Sequence, residues 1–197
     1  MRIRKATGCA SRWREFGRRT AREKRHPLLA WPRVESTDTM TDSITILVGT
    51  MSGTAEMVAD ALLESIEETG LRGRIVRMEK ATVEGLRSGG VYLVCTSTYG
   101  TGDVPDNAKP LYAALGEQRP DLAKVRYGVV ALGDSIYPNT FCFGGKRFDE
   151  LLSSLGARRI GERLQNDSRS PVYPDDAARE WVGGWLESLR QDKGGGN

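Results

Sequence analysis

The sequence predicts an α/β domain of three layers, a five-stranded parallel sheet with helices on both faces. Three observations predict it. From Ser43 onward, short β-branched apolar runs alternate with segments of helical periodicity. The run over residues 90–97 is apolar at nearly every position, as a strand covered on both faces must be. Three of the strands end in loops rich in glycine, hydroxyl and carboxylate groups, unlike ordinary connections.

The elements follow in order. "ITILVG" (44–49) is the first strand, and residues 54–69 carry helical spacing. There Ala55, Val58, Ala59, Leu62 and Ile66 share one face, Glu56, Asp60, Glu64 and Glu67 lie opposite, and Gly70 supplies a stop. "RIVRM" (74–78) is the second strand, followed by a short helical segment at 83–87. "GVYLVCTS" (90–97) is the third, residues 107–117 the next helix, and "YGVVALG" (127–133) the fourth strand. A helix over 144–155 ends at Gly156. "RRIGERL" (158–164) reads as a fifth strand without interruption. Residues 175–190 form the closing helix, with Asp175 and Asp176 in its first turn and Trp181, Trp185 and Leu189 on one face.

Charge divides the 197 residues into two parts. Of the 29 basic and 26 acidic side chains, residues 1–40 hold 11 and 4, a net of +7; the remainder hold 18 and 22, a net of −4. Residues 1–42 therefore read as a basic N-terminal extension without a core pattern, expected to be disordered or to precede a true start at Met40. A chain beginning at Met40 is expected to fold and function alone. Residues 43–191 form the domain, and 192–197 a flexible Gly-rich tail. The extension's charge is not organised into a recognition helix, so no nucleic-acid partner is expected. No apolar run has the length of a membrane span. Three cysteines without a CxxC pairing fit a reducing compartment, and a cytoplasmic location is expected.

The three loops carry the function. The first is Thr50, Met51, Ser52, Gly53, Thr54 and Ala55, running from the first strand into the first helix. A helix N-terminus offers free N–H groups and a positive dipole end, and the hydroxyls add donors, which together suit a phosphate monoester. The loop lacks the lysine of a nucleoside-triphosphate loop, and no GxGxxG follows the strand. The second loop holds Ser97, Thr98, Tyr99, Gly100, Thr101, Gly102 and Asp103 and continues to Asn107. The third holds Leu132, Gly133, Asp134, Ser135 and Tyr137 and continues to Phe141 and Cys142. A phosphate anchor with tyrosines from two other loops describes a pocket for a flat ring system bearing a phosphate, with Tyr99 and Tyr137 placed to sandwich it.

"GTMSGTAE", "STYGTGDVPDN" and "LGDSIYPNTFC" together resemble the three flavin-binding loops of the flavodoxin family, over residues 43–190. The likeness is greatest to MioC-type short-chain flavodoxins and to the FMN domains of diflavin reductases. The resemblance implies a flavodoxin-like fold with strand order 2-1-3-4-5 and one bound FMN. It implies that Thr50 to Ala55 hold the phosphate, that Ser97 to Gly100 and Leu132 to Phe141 hold the isoalloxazine, and that Tyr99 and Tyr137 flank its faces. Asp167 would add a contact near the pocket.

The expected activity is low-potential one-electron transfer from an NADPH-dependent flavodoxin/ferredoxin reductase to redox enzymes, by a monomer. Asp103, Asp106 and Asp134 would lend negative potential around the ring and favour acceptors with a basic docking face. Gly100 would let a neighbouring peptide rotate toward the ring. The alternative is a flavin-dependent NAD(P)H:quinone reductase of the same fold, which would need a substrate cavity and longer insertions. A signalling receiver would need carboxylates after the first strand, where this chain has none. The single histidine, His26, and the absence of metal-ligand spacing leave nucleophilic and metal catalysis without residues. Cys95 reads as a buried strand residue and Cys142 as a loop residue beside the pocket.

Overall fold

The computed structural model describes residues 43–194. The proposed extension, residues 1–42, and the last three residues of the proposed tail lie outside the described residues. Strands β1 (Ser43–Gly49), β2 (Arg72–Arg77), β3 (Gly90–Ser97) and β4 (Val125–Gly133) form a parallel sheet in the order β2-β1-β3-β4. A fifth position beside β4 is shared by β5 (Arg158–Arg159) and β6 (Leu164–Asp167). The order reverses between β1 and β3. At such a switch point the loops leaving the carboxyl ends diverge and open a crevice.

Side chains alternate between two cores, one on each face of the sheet. Ile44, Ile46 and Val48 of β1 and Val91, Leu93 and Cys95 of β3 meet helices α1 (Thr54–Glu68) and α5 (Pro174–Gly194). Leu47, Tyr92, Val94, Tyr127 and Val129 point the other way, into the core beneath α2 (Val83–Arg87), α3 (Lys109–Gln118) and α4 (Phe143–Ser154). Helix α1 forms because its apolar residues recur on one stripe, and Gly53 starts it with a left-handed φ of 85°.

One mid-strand glycine shows how the α5 face is filled. Gly128 leaves a gap in β4, and the Trp185 indole occupies it. A Cβ at Gly128 would lie 2.4 Å from Trp185 Nε1 and 2.8 Å from Leu93 Cδ2. Both neighbours are buried. Gly128→Ala is therefore expected to destabilise the fold by about 1–3 kcal/mol through overpacking, read as a lower melting temperature in calorimetry.

The fifth strand is not the continuous 158–164 run that the sequence suggests. It pairs as Arg158–Arg159, keeps one hydrogen bond from the Ile160 amide to Tyr127 O, leaves the sheet at Gly161–Arg163 and returns as Leu164–Asp167. Gly161, with φ 63°, provides the bend. Asp149, a buried residue of α4, gathers the pieces: its carboxylate accepts from Tyr127 Oη (2.8 Å), Arg159 (2.6 Å) and Arg163. Burial, with hydrogen bonding to Asp149, raises the Tyr127 pKa. The closing helix also runs past residue 191, to Gly194. The Asp192 carboxylate lies 2.5 Å from Arg158, so the proposed tail at 192–197 begins inside a helix.

Candidate functional site

The loops after β1, β3 and β4 meet at the switch point around a cleft of about 460 Å³, a size ordinary for a bound small molecule. Nine of the residues expected from sequence line it: Ser52, Thr54, Ser97, Thr98, Gly100, Leu132, Gly133, Asp134 and Tyr137. Thr140 and Ser168 line it as well. Thr140 sits inside the third loop, and Ser168 follows β6, where the sequence offers no motif to single it out.

The first loop is folded by Thr50 rather than lined by it. Thr50 is buried, and its hydroxyl oxygen accepts the amides of Ser52 (3.3 Å) and Gly53 (3.0 Å). Its own N–H donates to Asn107 Oδ1 at 2.9 Å. Asn107 Nδ2 in turn donates to Val48 O and to Glu79, so Asn107 ties the second loop to the first and stands behind the cleft. Ala55 is buried in the α1 core, while Met51 is about half exposed at the rim. Gly53 O already accepts from Glu56 and Met57. The amides of Thr54 and Ala55 donate to no acceptor among the described residues, and the Ser52 and Thr54 hydroxyls hydrogen-bond to each other at 3.4 Å beside them. That is an anion cradle of neutral donors.

The second loop closes on itself. Tyr99 N–H donates to Asp103 O, and Tyr99 O accepts from both Gly102 and Asp103. The Tyr99–Gly100 peptide is thereby pinned, whereas the Gly100 carbonyl and Thr101 amide carry no bond among the described residues. Gly100 has φ 54° with open space where a Cβ would be. Thr98 Oγ1 donates to Leu132 O (3.1 Å) and accepts the Gly144 amide (3.1 Å), joining all three layers of the wall. Gly102, with φ 99°, sits against Phe143 and Thr140, and Thr101 is exposed.

The third loop is stapled from both ends. Asp134 Oδ1 accepts the Ile136 amide, and Asp167 Oδ1 accepts the Ser135 amide at 3.0 Å. Hydrogen bonding to Ser135, and then to the Arg169 amide, holds the Asp167 carboxyl below the ordinary aspartate range. Asp167 thus supports the loop from outside the cleft. Tyr137 lines the cleft and is 65 % exposed, whereas Tyr99, 47 % exposed, is not among the residues that line it.

Phe141 and Cys142, expected among the binding residues, turn inward. Phe141 packs against the α3–α4 core, with Lys146 5.8 Å from its ring centroid. Cys142 is buried in a left-handed conformation, φ 59°, and its thiol donates to Ala131 O at 3.3 Å. Burial pushes that thiol up to about 11, so it stays protonated and inert at neutral pH. Cys95 is a buried core residue, as expected, its thiol pKa likewise raised by burial.

The acidic field is smaller than the sequence suggests. Asp103 pairs with Arg147 at 3.1 Å and Asp106 with Lys109 at 2.6 Å, so two of the three expected carboxylates carry a cation. Among the described residues Asp134 lines the cleft without one, and no lysine or arginine lines it. Among the described residues no cluster of metal-ligating side chains forms, and no helix is long and apolar enough to cross a membrane.

Comparison with known proteins agrees with this geometry. The flavodoxin family model matches residues 46–181. Protein MioC of Escherichia coli K12 is 39% identical over 147 residues, covering 75% of this chain and 98% of MioC. The sulfite reductase flavoprotein alpha-component of Bacillus subtilis is 35% identical over 153 residues, 77% of this chain but 24% of that protein. Among solved structures, a cysteine-to-alanine mutant of flavodoxin from Pseudomonas aeruginosa superposes with a TM-score of 0.68 at 35% identity, over 75% of this chain and 99% of that one. The residues present fit the family's cofactor: free amides and a hydrogen-bonded hydroxyl pair for a phosphate, and the exposed Tyr137 lining the cleft for a ring. By family model, relatives and sheet order alike, the chain belongs to the flavodoxins, electron-transport proteins that bind FMN.

Proposed function

We propose that this chain is a low-potential one-electron carrier, loaded by an NADPH-dependent flavoprotein reductase and discharged to redox enzymes. The observation that carries the reading is the cradle at the start of α1, where Ser52 and Thr54 open onto a cleft that no basic side chain lines among the described residues. FMN, when bound, supplies the electron chemistry. The protein's own residues hold it and set its surroundings.

Ser52, Thr54 and the two amides hold the phosphate through neutral donors, so its negative charge persists. The Asp134 carboxylate adds to it. Both oppose further negative charge in the cleft and lower the affinity for the last electron. The Gly100 carbonyl, free on its outer side, can turn toward the cleft and accept a proton-bearing donor there. Glycine permits both peptide orientations. Tyr137 and Tyr99 cover the ring while short loops leave its edge open to a partner. Buried, reduced Cys95 and Cys142 fit a cytoplasmic setting, and we read the working form as a monomer of residues 43–194 with the termini dispensable.

A reconstituted electron-transfer assay tests this. Holoprotein alone should oxidise no NADPH with a quinone present. Added to a flavodoxin reductase and cytochrome c, it should stimulate cytochrome reduction in proportion to its concentration. Steady quinone turnover by the protein alone would instead identify a quinone reductase.

A further inference from the structure

A second concavity, larger than the cofactor cleft, lies on the far side of the sheet's edge. It measures about 680 Å³ and runs between the outer side of β6 and helix α5. Its floor is apolar: Leu164, Val172 and Trp181, which stacks on the buried Trp185 with ring centroids 6.0 Å apart. Ala177 and Gly184 keep the helix wall low. Natural edge strands are usually kept short or blocked to prevent pairing, and β6 is short. What distinguishes this edge is the trough beside it, because β6 pairs with β4 on one side and with no strand on the other among the described residues.

The charge of the trough is one-sided. Glu162, Asp167 and Glu180 line it, and among the described residues no lysine or arginine does. Asp167 spends its Oδ1 on the Ser135 and Arg169 amides, whereas Glu162 and Glu180 are exposed and form no ion pair among the described residues. The trough therefore offers an unpaired strand edge, an aromatic floor and two free carboxylates.

We infer that this groove is a docking site for an extended basic segment of a partner protein, which adds to the edge of β6. Its backbone would bond to the open edge, alternate apolar side chains would rest on the tryptophan floor, and its cations would meet Glu162 and Glu180. The site is separate from the cofactor cleft, with Asp167 the wall between them.

The test uses full-length, FMN-loaded protein and an alternating Lys–Val octapeptide, with Glu–Val and Lys–Ser octapeptides as comparisons. Two-dimensional NMR should show Lys–Val shifting the amides of residues 161–167 and the Trp181 indole, with at least roughly tenfold weaker binding by each comparison peptide. Glu162→Lys with Glu180→Lys, both at exposed positions, should weaken Lys–Val binding roughly tenfold and strengthen Glu–Val binding, while FMN affinity stays unchanged. Equal binding of Lys–Val and Lys–Ser would overturn the groove in favour of a diffuse acidic surface. So would shifts centred on the cleft residues, or binding indifferent to the double reversal.

Discussion

Replacing Gly144 with alanine is expected to lower FMN affinity roughly tenfold to a hundredfold, because overpacking costs of about 1–3 kcal/mol act directly on the cleft wall. A Cβ there would lie 2.2 Å from the Ser97 carbonyl oxygen and 3.1 Å from its carbon. Both are backbone, so no side chain can swing aside. Helix α4 must retreat from the end of β3, breaking the Gly144 amide bond to Thr98 and with it the Thr98 tie to Leu132. Gly116→Ala is the matched control, since a Cβ there meets nothing within 4 Å. That helical exchange should be neutral or stabilising by up to about 1 kcal/mol. Fluorescence titration with FMN measures the first effect, and thermal melts separate it from general unfolding. An affinity within threefold of the parent, with the fold intact, would show that the approach of α4 to β3 does not shape the site.

The second large effect is discrimination by phosphate. Hydrogen bonds to a charged group contribute about 1.5–3 kcal/mol each, so the two amides and two hydroxyls of the cradle should favour FMN over riboflavin by roughly a hundredfold or more. Thr54→Leu removes one hydroxyl from an exposed first-turn position while leaving the helix able to form. It should weaken FMN by roughly tenfold and riboflavin hardly at all. Paired titrations of the two flavins, monitored by quenching of their fluorescence, decide the matter. Equal affinity for both flavins would mean that the cradle holds no phosphate.

The parts of this protein written locally are legible in its sequence. A strand followed by a glycine- and hydroxyl-rich turn and an amphipathic helix defines the cradle within a few residues, and apolar alternation places the sheet. What escaped depends on partners distant in sequence. Nothing around Asp103 announces Arg147, 44 residues on, so its charge reads as free when it is paired. Arg159 and Arg163 read as ordinary strand positions because Asp149, which draws both toward α4, belongs to another element. Cys142 lies in a binding motif, yet its left-handed backbone turns the thiol to Ala131 rather than to the cleft. Ser168 reaches the cleft only because β6 ends beside β4, a register that no local pattern encodes.

The central claim is that the cleft carries electrons singly, and a potentiometric titration of the FMN-loaded protein tests it most directly. The account predicts two resolved one-electron midpoints, the second clearly below the first. In Asp134→Asn, which keeps the Oδ1 acceptor for the Ile136 amide but removes the charge, the second midpoint should rise. A half-exposed unit charge is worth about 1 kcal/mol, or roughly 40 mV for one electron. A single two-electron transition, unchanged in Asp134→Asn, would contradict the account.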